Sequence, residues 1–368
     1  MKRLIKLTAV FILPFVLLFV LFFAFETYDY FGVKNNAHYL DNPLSNVRMT
    51  VYDKPERIIL GDSRMANLNV GYIKEISGLD YGKLAYGGAE IGESIDLFWW
   101  AVEQGCELEQ VILGVNFHYL GGTQTGENKI KNVEMAKTYA KNPFKFATNM
   151  THWLRAAANA KNMAFNFYYN ATGQPGRIVL NEDPSRLTEL EYDPGDVQKA
   201  IDMGYGEKWH PFMEYYATEL IYVRATGFEV QPQTYDALQE IIDYCDQNGI
   251  DLIFVFPPIH EVIYERVIWR LDEEISAKNA EEGTELATMT EKLTELKNFF
   301  ISRATVYDFE IRNDFTESSD TFFDGFHFKL SGKMMFAEIL FTDTDEYAGI
   351  ADIYIKDGVA IIPEHNNR

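Results

Sequence analysis

The chain has 368 residues, 47% of them hydrophobic and 15% aromatic, enough to bury a sizeable core in one large domain or two small ones. Its formal charge at pH 7 is -22, and the sequence pI is about 4.7. That balance repels phosphate backbones and anionic lipid, which argues against a nucleic-acid-binding protein and against a folded domain lying flat on a membrane.

The first segment reads as a membrane anchor. Residues 1–6 form a basic N-terminus with Lys2, Arg3 and Lys6, and residues 7–25 run "LTAVFILPFVLLFVLFFAF" without a charge. At about 1.5 Å per residue that run nearly matches a hydrocarbon core of about 30 Å. It ends "FFAFETYDY", bulky where a signal peptidase needs small side chains, so the segment is expected to stay uncleaved. Basic residues before the span, with Glu26 and Asp29 after it, put the N-terminus in the cytoplasm and the rest of the chain outside, on the plasma membrane as a single-pass protein. Pro14 is tolerable inside lipid.

Residues 26–56 are polar and turn-rich and read as a connector. An alternation of strands and helices follows. "RIILGDS" is strand-like, "LDYGKLAY" reads as a second strand, and "GGAEIGESIDLFWWAVEQG" as a helix with acids in its early turns, where the dipole favours them. "EQVILGVNF" is a third strand, buried on both faces by its Val-Ile-Leu run. The rhythm breaks at about 118–232, a span rich in Asn, Ala, Tyr and Phe that reads as an insertion over one end of a sheet. It resumes with "TYDALQEIIDYCDQNG", an amphipathic helix ended by Gly249, and with "IDLIFVFPP", a buried strand stopped by two prolines. A long charged helical stretch, 260–303, leads to the strand "ATVYDF" and the helix "KLSGKMMFAEILF". Residues 343–368 form a tail that reads as a β-hairpin turning at Asp357-Gly358. The alternation over 57–342 indicates an α/β domain, a parallel sheet between two helical layers.

Two cysteines, Cys106 and Cys245, are too few for a disulfide framework and stand as two buried thiols or one bridge. Asn149-Met-Thr and Asn170-Ala-Thr match the glycosylation sequon.

Ser63 sits where the first strand ends and a helix begins, the position outside the carboxyl ends of parallel strands where ligands bind. A serine becomes a nucleophile when a base, a group that orients the base, and oxyanion donors are supplied. Of seven histidines, His327 lies three residues after Asp324 in "DTFFDGFHFKLSG", just before the final helix. An Asp-x-x-His turn can set the carboxylate on Nδ1 and leave Nε2 for Ser63; the alternative is a pair that caps the last helix. The Ser63 backbone N–H, Gly88 in "YGGAE" and the Asn116 side-chain amide in "LGVNF" are the candidate oxyanion donors. Arg64 is a weaker candidate, for an anionic substrate group or for pairing with a surface carboxylate.

Block by block the chain resembles the SGNH (GDSL-like) hydrolase superfamily. Gly61-Asp62-Ser63 matches the serine block, Gly88 the glycine block, Gly114-Val115-Asn116 the asparagine block and Asp324-Gly325-Phe326-His327 the Asp-x-x-His block. The resemblance implies a three-layer α/β/α, flavodoxin-like fold with a Ser63, His327, Asp324 triad and an oxyanion hole of Ser63, Gly88 and Asn116. Anchor, insertion and outward domain together look more particularly like the membrane-tethered DltD-like and AlgJ/AlgX-like proteins of bacteria. That likeness implies O-acylation, such as O-acetylation, of a cell-envelope polysaccharide or teichoic-acid-like polymer beside a multispanning membrane O-acyltransferase. Phe117 stands where hydrolases of the family carry an Asp, which argues against a simple lipase. An esterase using the same triad, or a non-catalytic glycan-binding or docking partner, are the other readings.

Competing sites are weaker. Met65 occupies the last position of a Gly-x-Ser-x-Gly elbow. "HEVIYE", from His260, lacks the second histidine of a zinc-protease helix and reads as a solvated helix start. "GGTQTGENK" has its Lys displaced from the position a phosphate loop requires. Trp99 and Trp100 read as packing residues, as do Trp153, Phe165, Tyr168 and Tyr169 of the insertion. Neither His pairs nor Cys clusters have metal-ligand spacing, so no metal or organic cofactor is implied.

Overall fold

Short apolar segments buried on both faces, each followed by an amphipathic helix, produce a mostly parallel sheet in the computed structural model, which describes residues 2–25, 43–120, 137, 193–342, 349–356 and 359–361. The sheet strands are β1 (Arg57–Leu60), β2 (Gly82–Lys83), β3 (Gln110–Gly114), β4 (Asp251–Phe256), β5 (Thr305–Asp308), β6 (Asp352–Ile355) and β7 (Val359–Ile361). They lie in the order β2-β1-β3-β4-β5-β6-β7. Pairing is parallel from β2 through β5, with Ile58 opposite Gly82 and Val111, and Val111 opposite Leu252. β6 and β7 run antiparallel at the far edge, Val306 against Tyr354 and Tyr354 against Ala360. Of the residues between β6 and β7, Asp357 and Gly358 lie outside the described residues, as do both sequons, the "GGTQTGENK" loop and the four insertion aromatics.

Successive residues of each strand point to opposite faces, and the core divides accordingly. Ile58, Leu60, Val111 and Leu113 join one apolar cluster; Ile59, Ile112 and Val255 join the other. On the first face pack α2 (Pro43–Tyr52), α5 (Ile91–Glu103), α8 (Pro232–Asn248) and α10 (Met289–Ile301); α6 (Pro194–Asp202) and α7 (Pro211–Ala225) come between α5 and α8 in the chain. On the second pack α4 (Val70–Ser77) and α11 (Leu330–Phe341), bringing Ile73, Phe336 and Ala337. The helices stop where the sequence puts glycine in the left-handed region: α4 at Gly78, φ +74°, and α8 at Gly249, φ +66°.

Two segments depart from the sequence reading. The end of the connector is not a loop: α2 carries the fully buried Val47, whose carbonyl accepts from Trp100 Nε1 at 3.2 Å, and Asn46 Nδ2 donates to the Leu84 carbonyl. Its propensity is ordinary, and tertiary packing decides it. The stretch 260–303 is two helical units. Glu261–Ile263 leads through a π-helical segment, Tyr264–Trp269, into α9 (Arg270–Glu282), which Gly283 ends at φ +64°. A capping box of Thr288 and Glu291 then starts α10.

The two cysteines are free and buried. Burial pushes the Cys245 thiol up to about 12 and that of Cys106 above its ordinary value.

α1 (Lys2–Phe25) is helical through the expected anchor, with Leu7, Phe11 and Val20 exposed. Among the described residues no helix is long and apolar enough to cross a membrane; many α1 side chains lie outside that description.

Candidate active site

The carboxyl end of β1 lies beside the point where strand order reverses between β1 and β3, which is where an open parallel sheet leaves a crevice. There the chain turns through Gly61 at φ +132°, a conformation L side chains rarely adopt, and a Cβ at that position would sit 2.7 Å from Met65 Cγ. The turn feeds α3 (Ser63–Ala66). Asp62 is its N-cap, with Oδ1 accepting from Arg64 N at 3.0 Å, and Ser63 is its first residue. An N–H in that position has no intrahelical partner and points out of the helix end.

Asp324 and His327 come from the loop before α11. Asp324 Oδ1 accepts from the backbone N–H groups of Phe326 at 2.9 Å and His327 at 2.7 Å, so one carboxylate oxygen shapes the loop. The other, Oδ2, lies 2.7 Å from His327 Nδ1, and His327 Nε2 lies 2.8 Å from Ser63 Oγ. The alternative, that Asp324 and His327 cap the last helix, does not hold: Lys329 is the N-cap of α11 and makes no side-chain cap bond. Serine, imidazole and carboxylate thus form one hydrogen-bonded line, with Asp324 buried and the His327 side chain 22% exposed. A carboxylate on Nδ1 selects the tautomer whose Nε2 accepts a proton, and it favours the imidazolium that results.

A small cleft beside Ser63 is walled by Gly61, Asp62, Ala89, Ile91, Ser94, Gly114 and Asn116. Asn116 is 4% exposed, and among the described residues its Oδ1 has no hydrogen-bond partner. That oxygen is an acceptor; the donors an oxyanion could take are on Nδ2 of the same amide. Gly88, at φ +74°, closes a turn in which Ala89 N–H donates to Tyr86 O at 3.1 Å; it precedes the cleft wall at Ala89.

Arg64 requires correction as an anion-binding group. It points inward, 1% exposed, with Nη1 donating to Pro257 O at 2.8 Å and Nε 3.5 Å from Asp62 Oδ2. Ser63 before it faces the crevice end, but the Arg64 side chain reaches toward the loop after β4, where the Pro257 carbonyl accepts from it. No substrate anion reaches it there. Lys297 contacts Asp308 at 2.8 Å and Glu310 at 3.5 Å. Burial disfavours the Lys297 charge, but the Asp308 and Glu310 carboxylates outweigh it and its pKa lies above the ordinary value. Burial raises the Glu310 carboxyl, against the pull of Lys297.

Two residues that the sequence reading passed over support the Asp324 loop. Trp209 Nε1 donates to Phe322 O at 3.0 Å and Ser319 O at 3.3 Å. His260, expected to be solvated, is fully buried against Trp209, with ring centroids 4.6 Å apart. Its backbone N–H donates to Gly325 O at 2.9 Å, and its Nδ1 accepts from Val262 N at 3.1 Å as a helix cap. The capping position was legible in the sequence; the burial depends on Trp209, which lies 51 positions earlier.

Burial, then the nearby Lys208, lower the His260 pKa from 6.5 to about 4, with Glu261 and Glu317 opposing. The unfolded chain therefore takes up this proton as pH falls below about 6.5, and the folded chain only near 4. Stability from neutral His260 is complete above that window and is lost as pH falls through it, by about 3 kcal/mol. His260→Asn keeps an acceptor for Val262 N–H and does not titrate. Urea unfolding at a series of pH values between 7 and about 4 is expected to show a shallower fall for the variant; parallel curves for the two proteins would reject this assignment.

His118, 4% exposed, is held neutral chiefly by burial and further by Arg64, Arg224 and His327, which lower its pKa well below 6.5. Among the described residues no group of three His, Cys, Asp or Glu is placed to hold a metal ion. Compared with known proteins, the chain matches no family model and no curated protein.

Proposed function

We propose that this protein is a membrane-anchored, extracytoplasmic serine acyltransferase of SGNH type, acting on a cell-envelope polysaccharide or teichoic-acid-like polymer. The observation that carries the reading is the line Ser63 Oγ, His327 Nε2, His327 Nδ1, Asp324 Oδ2, with separations of 2.8 and 2.7 Å. The strand order β2-β1-β3-β4-β5 supports a flavodoxin-like layer arrangement, whose switch point lies at β1 and β3. The basic residues before the apolar run 7–25 support the anchor.

Ser63 Oγ attacks the carbonyl carbon of a donor ester while His327 Nε2 takes the hydroxyl proton. The Ser63 N–H, the Gly88 N–H and the Asn116 amide hold the oxyanion. Collapse expels the donor alcohol, which leaves with the proton from His327, and the acyl group stays on Ser63. An acceptor hydroxyl then attacks that ester, His327 removes its proton, and Ser63 recovers the proton as the product ester departs. A polymer hydroxyl as acceptor gives transfer; water gives hydrolysis by the same residues. A multispanning O-acyltransferase in the same membrane is the partner that would supply the acyl group.

The test is intact-mass analysis of the full chain in detergent after reaction with a fluorophosphonate. One adduct, mapped to Ser63 and absent from Ser63→Ala and His327→Ala, is the expected result. A folded chain that forms no adduct would instead favour a docking or glycan-binding role.

A further inference from the structure

The two hydrogen bonds to His327 lie at opposite nitrogens of its ring and define an axis through it. They aim the imidazole along that axis and do little to oppose its roll around it. The faces of the ring are what a roll would move, and two phenyl rings pack against the imidazole. Phe323 lies parallel to one face, interplanar angle 7° and centroids 5.4 Å apart. Phe326 lies against the ring at 4.1 Å, tilted by 39°. Phe326 is buried, with its ring centroid also 6.2 Å from that of His118. Phe323 is half-buried, its N–H donating to His327 O at 3.1 Å and keeping the two residues in register.

We propose that Phe323 is a positioning residue, whose parallel stacked ring keeps the His327 imidazole in the plane that serves Ser63. The proposal rests on the serine-nucleophile reading above. Offset parallel stacking sets the ring plane without consuming either nitrogen. Because it is only half-buried, Phe323 contributes this at little cost to the core, and its replacement is expected to leave the fold intact.

The test compares Phe323→Leu with Phe323→Tyr in the full chain, reading fluorophosphonate saturation kinetics and the Nδ1–H proton resonance of the His327 to Asp324 hydrogen bond. Phe323→Leu is expected to lower the maximal labelling rate about tenfold with the half-saturating concentration unchanged, and to broaden or abolish that resonance. Phe323→Tyr, which keeps the stacked face, is expected to restore both. A Leu variant with wild-type rate and resonance overturns the proposal, as does a loss that Tyr fails to restore, which would assign Phe323 to loop packing. Should Leu impair folding, Phe323→Met replaces it with the same expectations. If the wild-type chain itself does not label, the serine reading fails, and the resonance by itself decides whether Phe323 positions the imidazole.

Discussion

Asp324→Asn is expected to slow fluorophosphonate labelling of Ser63 by about four orders of magnitude while the protein remains folded. The two oxygens of Asp324 have separate tasks, and the substitution separates them. Oδ1 holds the backbone N–H groups of Phe326 and His327, and the carbonyl oxygen of asparagine can keep both bonds. Oδ2 accepts from His327 Nδ1–H; an amide NH2 there must donate instead. His327 then carries its proton on Nε2, the nitrogen that receives the Ser63 proton in the proposed mechanism, and the proposed nucleophile loses its base. Asp324→Ala is expected to lose the same activity and stability as well, because the loop N–H groups lose their acceptor. Labelling rates, with melting temperatures beside them, make the comparison. An Asn variant that labels within about tenfold of wild type would show that Asp324 only shapes the loop.

The second large effect is expected at Arg64, in stability. Arg64→Met removes the cation from a fully buried pair and leaves the Asp62 carboxylate uncompensated, at a cost of about 3–5 kcal/mol. It also removes the donor to Pro257 O, the head of the loop whose His260 N–H holds Gly325 beside Asp324. Labelling of Ser63 is therefore expected to fall together with stability. Asp62→Asn combined with Arg64→Met removes the stranded charge and keeps the cap on α3, so the double variant is expected to recover part of the loss. Denaturant unfolding of the two singles and the double measures the coupling. A loss below about 1 kcal/mol for Arg64→Met would mean the pair is solvated and the inward orientation is wrong.

Much of the site was legible because it is encoded over short distances. An acid three residues before a histidine can close a turn on itself, and Asp324 and His327 do so. Gly61-Asp62-Ser63 announces a strand end, a tight turn and a helix cap in consecutive residues, and Gly249 and the Thr288 to Glu291 box mark helix ends by local geometry. Arg64 shows where such reading stops. Its position beside Ser63 is a fact of sequence, but its direction follows from the pitch of α3 and from a carbonyl that lies 193 positions away. His260 and the helix at 43–52 were read as solvated and as connector for the same reason, since Trp209 and Trp100, which cover them, come from distant segments.

By itself, then, the sequence determined the α/β alternation, the helix limits set by glycine and capping residues, and the two local turns that carry the serine and the Asp-x-x-His pair. Hydrogen bonds within a few residues and the periodicity of apolar side chains are sufficient for these. Only the tertiary structure decided that Ser63 and His327, 264 positions apart, meet at 2.8 Å. It also decided that Arg64 is a strut rather than a ligand, and that Phe323 covers a face of the imidazole. The physical reason is common to all three: parallel strands bring their carboxyl ends to one edge, and whether a side chain there meets water or protein depends on neighbours that local pattern does not specify.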